Sequence, residues 1–188
     1  SEIASKGLNP NNRETLTLFG DGAAAVIVSY QEHGDSSFIK GAMNTHSQGV
    51  FSTLIKGGGN KYFFKDYPYD ENLHSFAMDG PKLLKLASKE IKGFLLNFFK
   101  DIPYSLEDVD VVIPHQTSKI GQMLLKKTLN TNEVKIMSNL SDNGNCISAS
   151  IPLLFHQSIQ NGKINRGDLC LFIGTSAGFS IGASLFRF

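Results

Sequence analysis

The chain has 188 residues, of which 41% are hydrophobic and 19% charged, with a formal net charge of +1. That balance excludes a disordered chain and leaves room for a real core. The near-neutral charge shows none of the strong basic stripe that a nucleic-acid binder carries, so no nucleic-acid partner is expected.

Two cysteines, Cys146 and Cys170, stand beside apolar residues and read as small buried hydrophobes with free thiols, which suits the cytoplasm. No apolar run reaches the length of a membrane span, so no membrane partner is expected. The polar stretch from Ser1 to Arg13 does not read as a secretory signal, and a first residue other than Met reads as a processed or cut end.

Residues 9–14 are polar, contain Pro10 and read as a loop. Gly20-Asp21-Gly22 marks a tight backbone feature. The run Ala23 to Val28 is nearly all apolar and fits a strand buried on both faces. Phe38 to Met43 is a second strand candidate. Residues 50–72 show no period and hold many aromatics, Phe51, Tyr62, Phe63, Phe64, Tyr67 and Tyr69 among them. A loop that long is often functional. Two readings stand: a lining for a binding tunnel, or a surface loop folded on its own aromatic cluster.

Gly80-Pro81 opens a strong helix, since Pro suits the first helical position. Leu84, Ala87, Ile91, Phe94, Leu95 and Phe98 follow the three-and-four spacing of one apolar face. Lys82, Lys85, Lys89 and Lys92 lie largely opposite and read as a solvated face. Val109 to Ile113 is a strand stopped by Pro114, and His115 follows at its C-terminal end. Thr117 or Ser118 can cap a helix reaching about Leu129. Val134 to Met137 is a short strand candidate. Asp142-Asn143-Gly144-Asn145 is turn chemistry, and Ile147 to Ile159 reads as a helix closed by Asn161-Gly162. Leu169–Ile173 and Ile181–Phe186 are strands joined through Ser176-Ala177-Gly178. Strands thus alternate with helices, an α/β layered pattern whose sites collect where strands give way to loops.

Taken alone, His115 at a strand end beside a helix N-terminus is either a structural histidine or a neutral donor to an oxyanion, because the helix end disfavours positive charge. Asn145 is either a turn residue or a rigidly held amide donor. The 176–178 turn either offers backbone N–H groups to an anion or is a plain hairpin loop. His33, His46, His74 and His156 have no metal-ligand spacing with the cysteines, so no metal is expected, and no phosphate-cradling glycine motif calls for a nucleotide.

Several ordered segments change this reading. Leu18-Phe19-Gly20-Asp21-Gly22-Ala23-Ala24-Ala25-Val26 resembles the "FGDGA-A" segment of the 3-oxoacyl-acyl-carrier-protein synthase III family. Met78-Asp79-Gly80-Pro81 resembles its "M-G" helix start, Pro114-His115-Gln116 its "PHQ", and Gly144-Asn145-Cys146-Ile147-Ser148-Ala149-Ser150-Ile151-Pro152 its "GNT-SAS-P". The ending through Gly167-Asp168 to Phe188 resembles the family's closing "GD--" and "G----GA-L-RF".

The resemblance implies an α/β thiolase-like fold, an αβαβα layered sandwich. Residues 1–37 would be the end of the N-terminal half, with its last strand, and 38–188 the C-terminal thiolase-like domain. It implies a Cys-His-Asn set in which His115 and Asn145 are two members and the nucleophilic cysteine lies upstream of Ser1. The chain alone would then be inactive. The His-Asn pair fits the synthase III and chalcone-synthase-like branch rather than the two-histidine elongating synthases.

The same resemblance implies oxyanion contacts from the backbone at Ala177 and Gly178, substrate contacts at Gly80, Leu84, Gln116 and Ser118, and no cofactor. Acyl-CoA and malonyl-acyl-carrier-protein would be substrates in fatty acid biosynthesis, acyl carrier protein a partner, Lys119, Lys126 and Lys127 candidates to steer it, and the protein a homodimer. The departures are Cys146 in place of Thr, Ser118 in place of a frequent Asn, and Ala177 in a glycine-rich turn. A related secondary-metabolite acyltransferase and a non-catalytic carrier-protein-binding or partner-subunit module are the competing readings. Retention of both His115 and Asn145 counts against the module.

Overall fold

A computed structural model describes residues 1–30, 32–130 and 135–188. Its centre is a five-stranded mixed sheet. The strands are β1 (Ser37–Thr45), β4 (Val111–Pro114), β5 (Lys135–Ile136), β6 (Leu169–Ser176) and β7 (Ser180–Arg187), in the order β1-β7-β6-β4-β5. β1, β7 and β6 run antiparallel; β6, β4 and β5 run parallel. A separate antiparallel pair joins β2 (Thr53–Ile55) to β3 (Phe76–Met78). The helices are α1 (Arg13–Leu16), α2 (Glu71–His74), α3 (Gly80–Phe99), α4 (Lys119–Leu129), α5 (Leu140–Asn143) and α6 (Ser150–Gln160).

The layering follows from the two-residue period of the strands. Val112, Leu171 and Ile173 face one side, where they pack with Ile91, Phe94, Leu95 and Phe98 of α3 and Leu125 and Leu129 of α4. Val111, Ile113 and Cys170 face the other side, against Leu154 and Phe155 of α6. Both faces of β4 are therefore buried, as its unbroken apolar run requires. Each fully buried large side chain of this kind, Phe98 for example, contributes about 1.5–3 kcal/mol by transfer from water.

The caps explain the boundaries. Asp79 accepts from the Lys82 N–H at 3.1 Å, and Pro81 occupies the first turn of α3. Ser118, not Thr117, caps α4, its Oγ accepting from the Gly121 N–H at 3.1 Å. Asn130 then turns left-handed to end that helix.

Several expectations need correction. Ala23 to Val28 is not a buried strand. Its last pairing is the bridge of Gly22 to Glu2, and the run beyond is exposed, Ile27 at 97%. A strand needs ladder partners, and among the described residues none flanks this one. The stretch 50–72 is not one unstructured loop: β2 lies in it and α2 begins at its end, elements of three and four residues that are too short to show a period. Strand β4 begins at Val111 and includes Pro114, which needs no N–H there because it ends the strand. Ile147–Ala149 forms a 3₁₀ turn, and α6 starts only at Ser150. β6 and β7 extend to Ser176 and from Ser180, so the connection shrinks to three residues. Of the short strand expected at 134–137, Val134 lies outside the described residues, and Lys135–Ile136 pair with Val111–Val112.

Candidate active site

Strand β4 carries His115 to the end of the sheet, where its backbone N–H donates to Ile173 O at 2.8 Å. Gly174, beside it on β6, leaves it room: a Cβ there would stand 3.1 Å from the His115 Cβ, so His115 would have to give by a few tenths of an ångström. An isolated glycine in an apolar strand is the signal that could have found it. The ring is largely buried. Burial alone lowers its pKa to about 4, so the imidazole is neutral at pH 7 and keeps a donor N–H.

Asn145 is stitched in place by the Phe19-Gly20 segment. Its N–H donates to Leu18 O at 2.9 Å, and its carbonyl accepts from the Gly20 N–H at 3.0 Å. Gly20 is obligatory because a Cβ there would overlap the Asn143 carbonyl oxygen, with the carbonyl carbon only 3.0 Å away. The Asn145 side chain is fixed as well. Its Oδ1 accepts from the Ile147 N–H at 2.9 Å, which leaves the two Nδ2–H donors for the cleft.

Ile147 makes that bond from a left-handed backbone, φ 49°, which a β-branched residue rarely adopts. Such a conformation costs on the order of 1–3 kcal/mol and persists only where surroundings enforce it. Sequence reading missed Ile147 because nothing about an isoleucine announces a positive φ.

His115 and Asn145 open onto one cleft of about 1090 Å³. Its walls are apolar, with Phe19, Leu84, Ile91 and Phe172 among them, and His115 is its one titratable side chain among the described residues. Gly80 and Leu84 reach it from the start of α3, Ser118 from the cap of α4, and Ala177 from the β6–β7 turn. Ser118 has its Oγ committed to the cap. In the turn, Gly178 takes the left-handed position, φ 97°, so Ala177 escapes it, and Gly178 itself does not line the cleft. Phe179, buried beneath the turn, accepts from the His46 N–H at 2.7 Å.

Gln116 is a correction. It is fully buried and turned away from the cleft: its Nε2 donates to Pro114 O at 2.8 Å, and its Oε1 accepts from Gln122 Nε2 at 2.7 Å. The aromatics at 62–69 are also outside the cleft. Tyr62 packs on Tyr67 with ring centroids 5.3 Å apart, and Phe64 and Tyr69 are largely exposed, the surface-cluster alternative.

Cys146 and Cys170 are free and buried. Burial pushes the Cys146 thiol up, with Asp21 adding to it, and pushes Cys170 up to about 12. Among the described residues no group of three His, Cys, Asp or Glu could hold a metal ion. No helix among them is long and apolar enough to cross a membrane.

This geometry meets independent comparisons. The profile described as 3-oxoacyl-[acyl-carrier-protein (ACP)] synthase III C terminal matches residues 99–188, and that of 3-oxoacyl-[acyl-carrier-protein (ACP)] synthase III matches residues 1–47. The chain belongs to the 3-oxoacyl-[acyl-carrier-protein] synthase III family.

Curated relatives in the family agree along the whole chain. A beta-ketoacyl-[acyl-carrier-protein] synthase III of Solibacter usitatus is 28% identical over 189 residues, covering 100% of this chain and 57% of the relative. One from Aquifex aeolicus is 31% identical over 188 residues, covering 100% of this chain and 56% of the relative. The crystal structure of 3-oxoacyl-[acyl-carrier-protein] synthase III from Aquifex aeolicus superposes with a TM-score of 0.82 at 29% identity, over 98% of this chain and 55% of that one. A Thermus thermophilus structure, at 22% identity and TM-score 0.77, covers 98% of this chain and 56% of that one, and supports the same thiolase-like α/β fold. The chain therefore spans about half the length of the relatives it matches.

Proposed function

We propose that this chain supplies the decarboxylating half of a beta-ketoacyl-acyl-carrier-protein synthase III, which condenses an acyl thioester with a malonyl thioester in fatty acid biosynthesis. The observation that carries the reading is the Asn145 amide: with Oδ1 held by the Ile147 N–H, its donor end is left for an apolar cleft shared with a neutral His115.

The chemistry follows. Loss of CO₂ from a malonyl thioester leaves an enolate, whose negative charge gathers on the former carbonyl oxygen. A neutral imidazole N–H and an amide N–H can stabilise it without donating a full proton. The apolar wall strengthens both bonds by excluding water. The enolate carbon then attacks an acyl group carried as a thioester on a cysteine. The carbon–carbon bond forms and the cysteine thiolate leaves, giving a 3-oxoacyl thioester. The tetrahedral oxyanion of that step would take backbone N–H groups at the 177–178 turn.

The acyl-carrying thiol is assigned to protein outside these 188 residues, because burial raises both thiols present and removes their thiolate character. Residues 1–37 would then be the end of the N-terminal half. The exposed run Val26-Ile27-Val28 would find its ladder partners there. Acyl-CoA and malonyl-acyl-carrier-protein are the substrates in this reading, with acyl carrier protein as partner, a homodimer as the assembly, and the cytoplasm as the location. Gly80 and Leu84 are retained as substrate-contact candidates and Gln116 is not.

Intact-mass analysis of the full-length protein after incubation with acyl-CoA tests the scheme. An acyl adduct on a cysteine outside residues 1–188 supports it. An adduct on Cys146 or Cys170, or a folded protein that takes up no acyl group, overturns it.

A further inference from the structure

Behind the cleft lies a chain of amides, two buried and two half-buried, that connects the loops bearing His115 and Asn145. It begins beside His115, where Gln116 Nε2 donates to Pro114 O at 2.8 Å. Gln116 Oε1 in turn accepts from the Asn139 backbone N–H at 3.2 Å. The Asn139 side-chain Nδ2 donates to Gln157 Oε1 at 2.7 Å, and Gln157 Nε2 donates to Asn143 Oδ1 at 3.2 Å. Asn143 is two residues from Asn145, and its carbonyl is the surface on which Gly20 rests. Gln116 is fully buried and Asn139 nearly so.

Gln116 and Gln157 each donate with one end of the amide and accept with the other, while Asn139 joins through its backbone N–H and its Nδ2, its Oδ1 having no hydrogen-bond partner among the described residues. Loss of the Gln157 amide would therefore take from the buried Asn139 side chain the acceptor that holds it. The path also bridges separate elements: the end of β4, the segment before α5, and the middle of α6. Among the described residues no backbone hydrogen bond ties α6 to Asn143.

We propose that Gln157 is a positioning residue for condensation, holding the Asn143–Asn145 turn at a fixed distance from the His115 loop so that two donors converge on one oxygen. It touches no substrate: Gln157 does not line the cleft. It acts through Asn143 on one side and through Asn139 and Gln116 on the other. The inference rests on the reading of His115 and Asn145 as enolate donors.

The test uses the full-length protein and measures two half-reactions separately: acylation of the cysteine by acyl-CoA, and CO₂ release from a malonyl thioester. Gln157→Leu removes both links. Gln157→Glu keeps the shape and the acceptor for Asn139 but loses the donor to Asn143, so it serves where the leucine variant fails to fold. A misplacement of about 1 Å can cost about 10²-fold, and a smaller shift correspondingly less. CO₂ release should fall about tenfold in both variants, with acylation within about twofold of the unsubstituted protein.

A merely structural role would shrink the active fraction and lower both half-reactions together, which overturns the proposal. Unchanged CO₂ release in folded Gln157→Glu overturns it too. An unsubstituted protein that releases no CO₂ would instead overturn the functional reading beneath it, so the two failures are distinguishable.

Discussion

Replacing Gly20 by alanine tests how the site is built. The new Cβ would overlap the Asn143 carbonyl oxygen and lie 3.0 Å from its carbon and 3.5 Å from Cys146 Sγ. The nearest obstacle is backbone, which cannot rotate away. The 18–20 segment must then separate from the 143–145 turn. That separation breaks the pair formed by the Asn145 N–H to Leu18 O and the Gly20 N–H to Asn145 O. Relieving the overlap costs about 1–3 kcal/mol, and the two hydrogen bonds contribute about 1 kcal/mol each, so the total is about 3–5 kcal/mol.

Gly22→Ala is the matched control. Its Cβ would meet side-chain atoms only, Cys146 Sγ at 3.0 Å and Cβ at 3.2 Å, a contact relieved by a few tenths of an ångström rather than by moving a carbonyl, so a smaller loss is expected. Differential scanning calorimetry on the full-length protein reads the stability, with CO₂ release measured in parallel. Gly20→Ala should lower the Tm by roughly 5–10 °C and CO₂ release by more than about tenfold. A Gly20→Ala protein as stable and active as the unsubstituted one would refute the close approach and with it the account of how Asn145 is held.

Two further outcomes follow from the buried groups. His115 titrates near pH 4 when folded against about 6.5 when unfolded, so the unfolded chain binds the proton first as pH falls. Stability is therefore full above about pH 6.5 and declines toward pH 4 by up to about 3 kcal/mol; urea melts across that range should show a shallower decline in His115→Gln. Iodoacetamide at pH 8 should leave Cys146 and Cys170 unmodified in the folded protein and label both in urea, read by peptide mass mapping. Native labelling of either would contradict their raised pKa values.

What could be read from the sequence divides along physical lines. Helix α3 was legible because twenty residues repeat one period and carry their own start signal in Asp79-Gly80-Pro81. Strand β4 was legible because both its faces are buried, which leaves no polar interruption. The same logic failed at 23–28, where apolar residues announce a need for burial but not what supplies it. Strands β2 and β3 are too short to show a period, and their pairing is set by contacts 21–25 residues apart.

At the site, His115 and Asn145 emerged from the ordered motifs, while position alone left each ambiguous. The supporting residues did not emerge. Gly174 matters through a neighbour on another strand, and Ile147 through a backbone angle its side chain opposes. The resemblance implies a substrate contact at Gln116, whereas the alternation of an extended strand end turns it to the side opposite His115.

The most direct measurement is CO₂ release from a malonyl thioester by the full-length protein and its His115→Ala and Asn145→Ala variants, with acylation by acyl-CoA followed alongside. Loss of one preorganised donor lowers the rate about 10²–10³-fold. The account predicts that each variant loses CO₂ release by that order while the cysteine is still acylated. Undiminished release in both variants would contradict it.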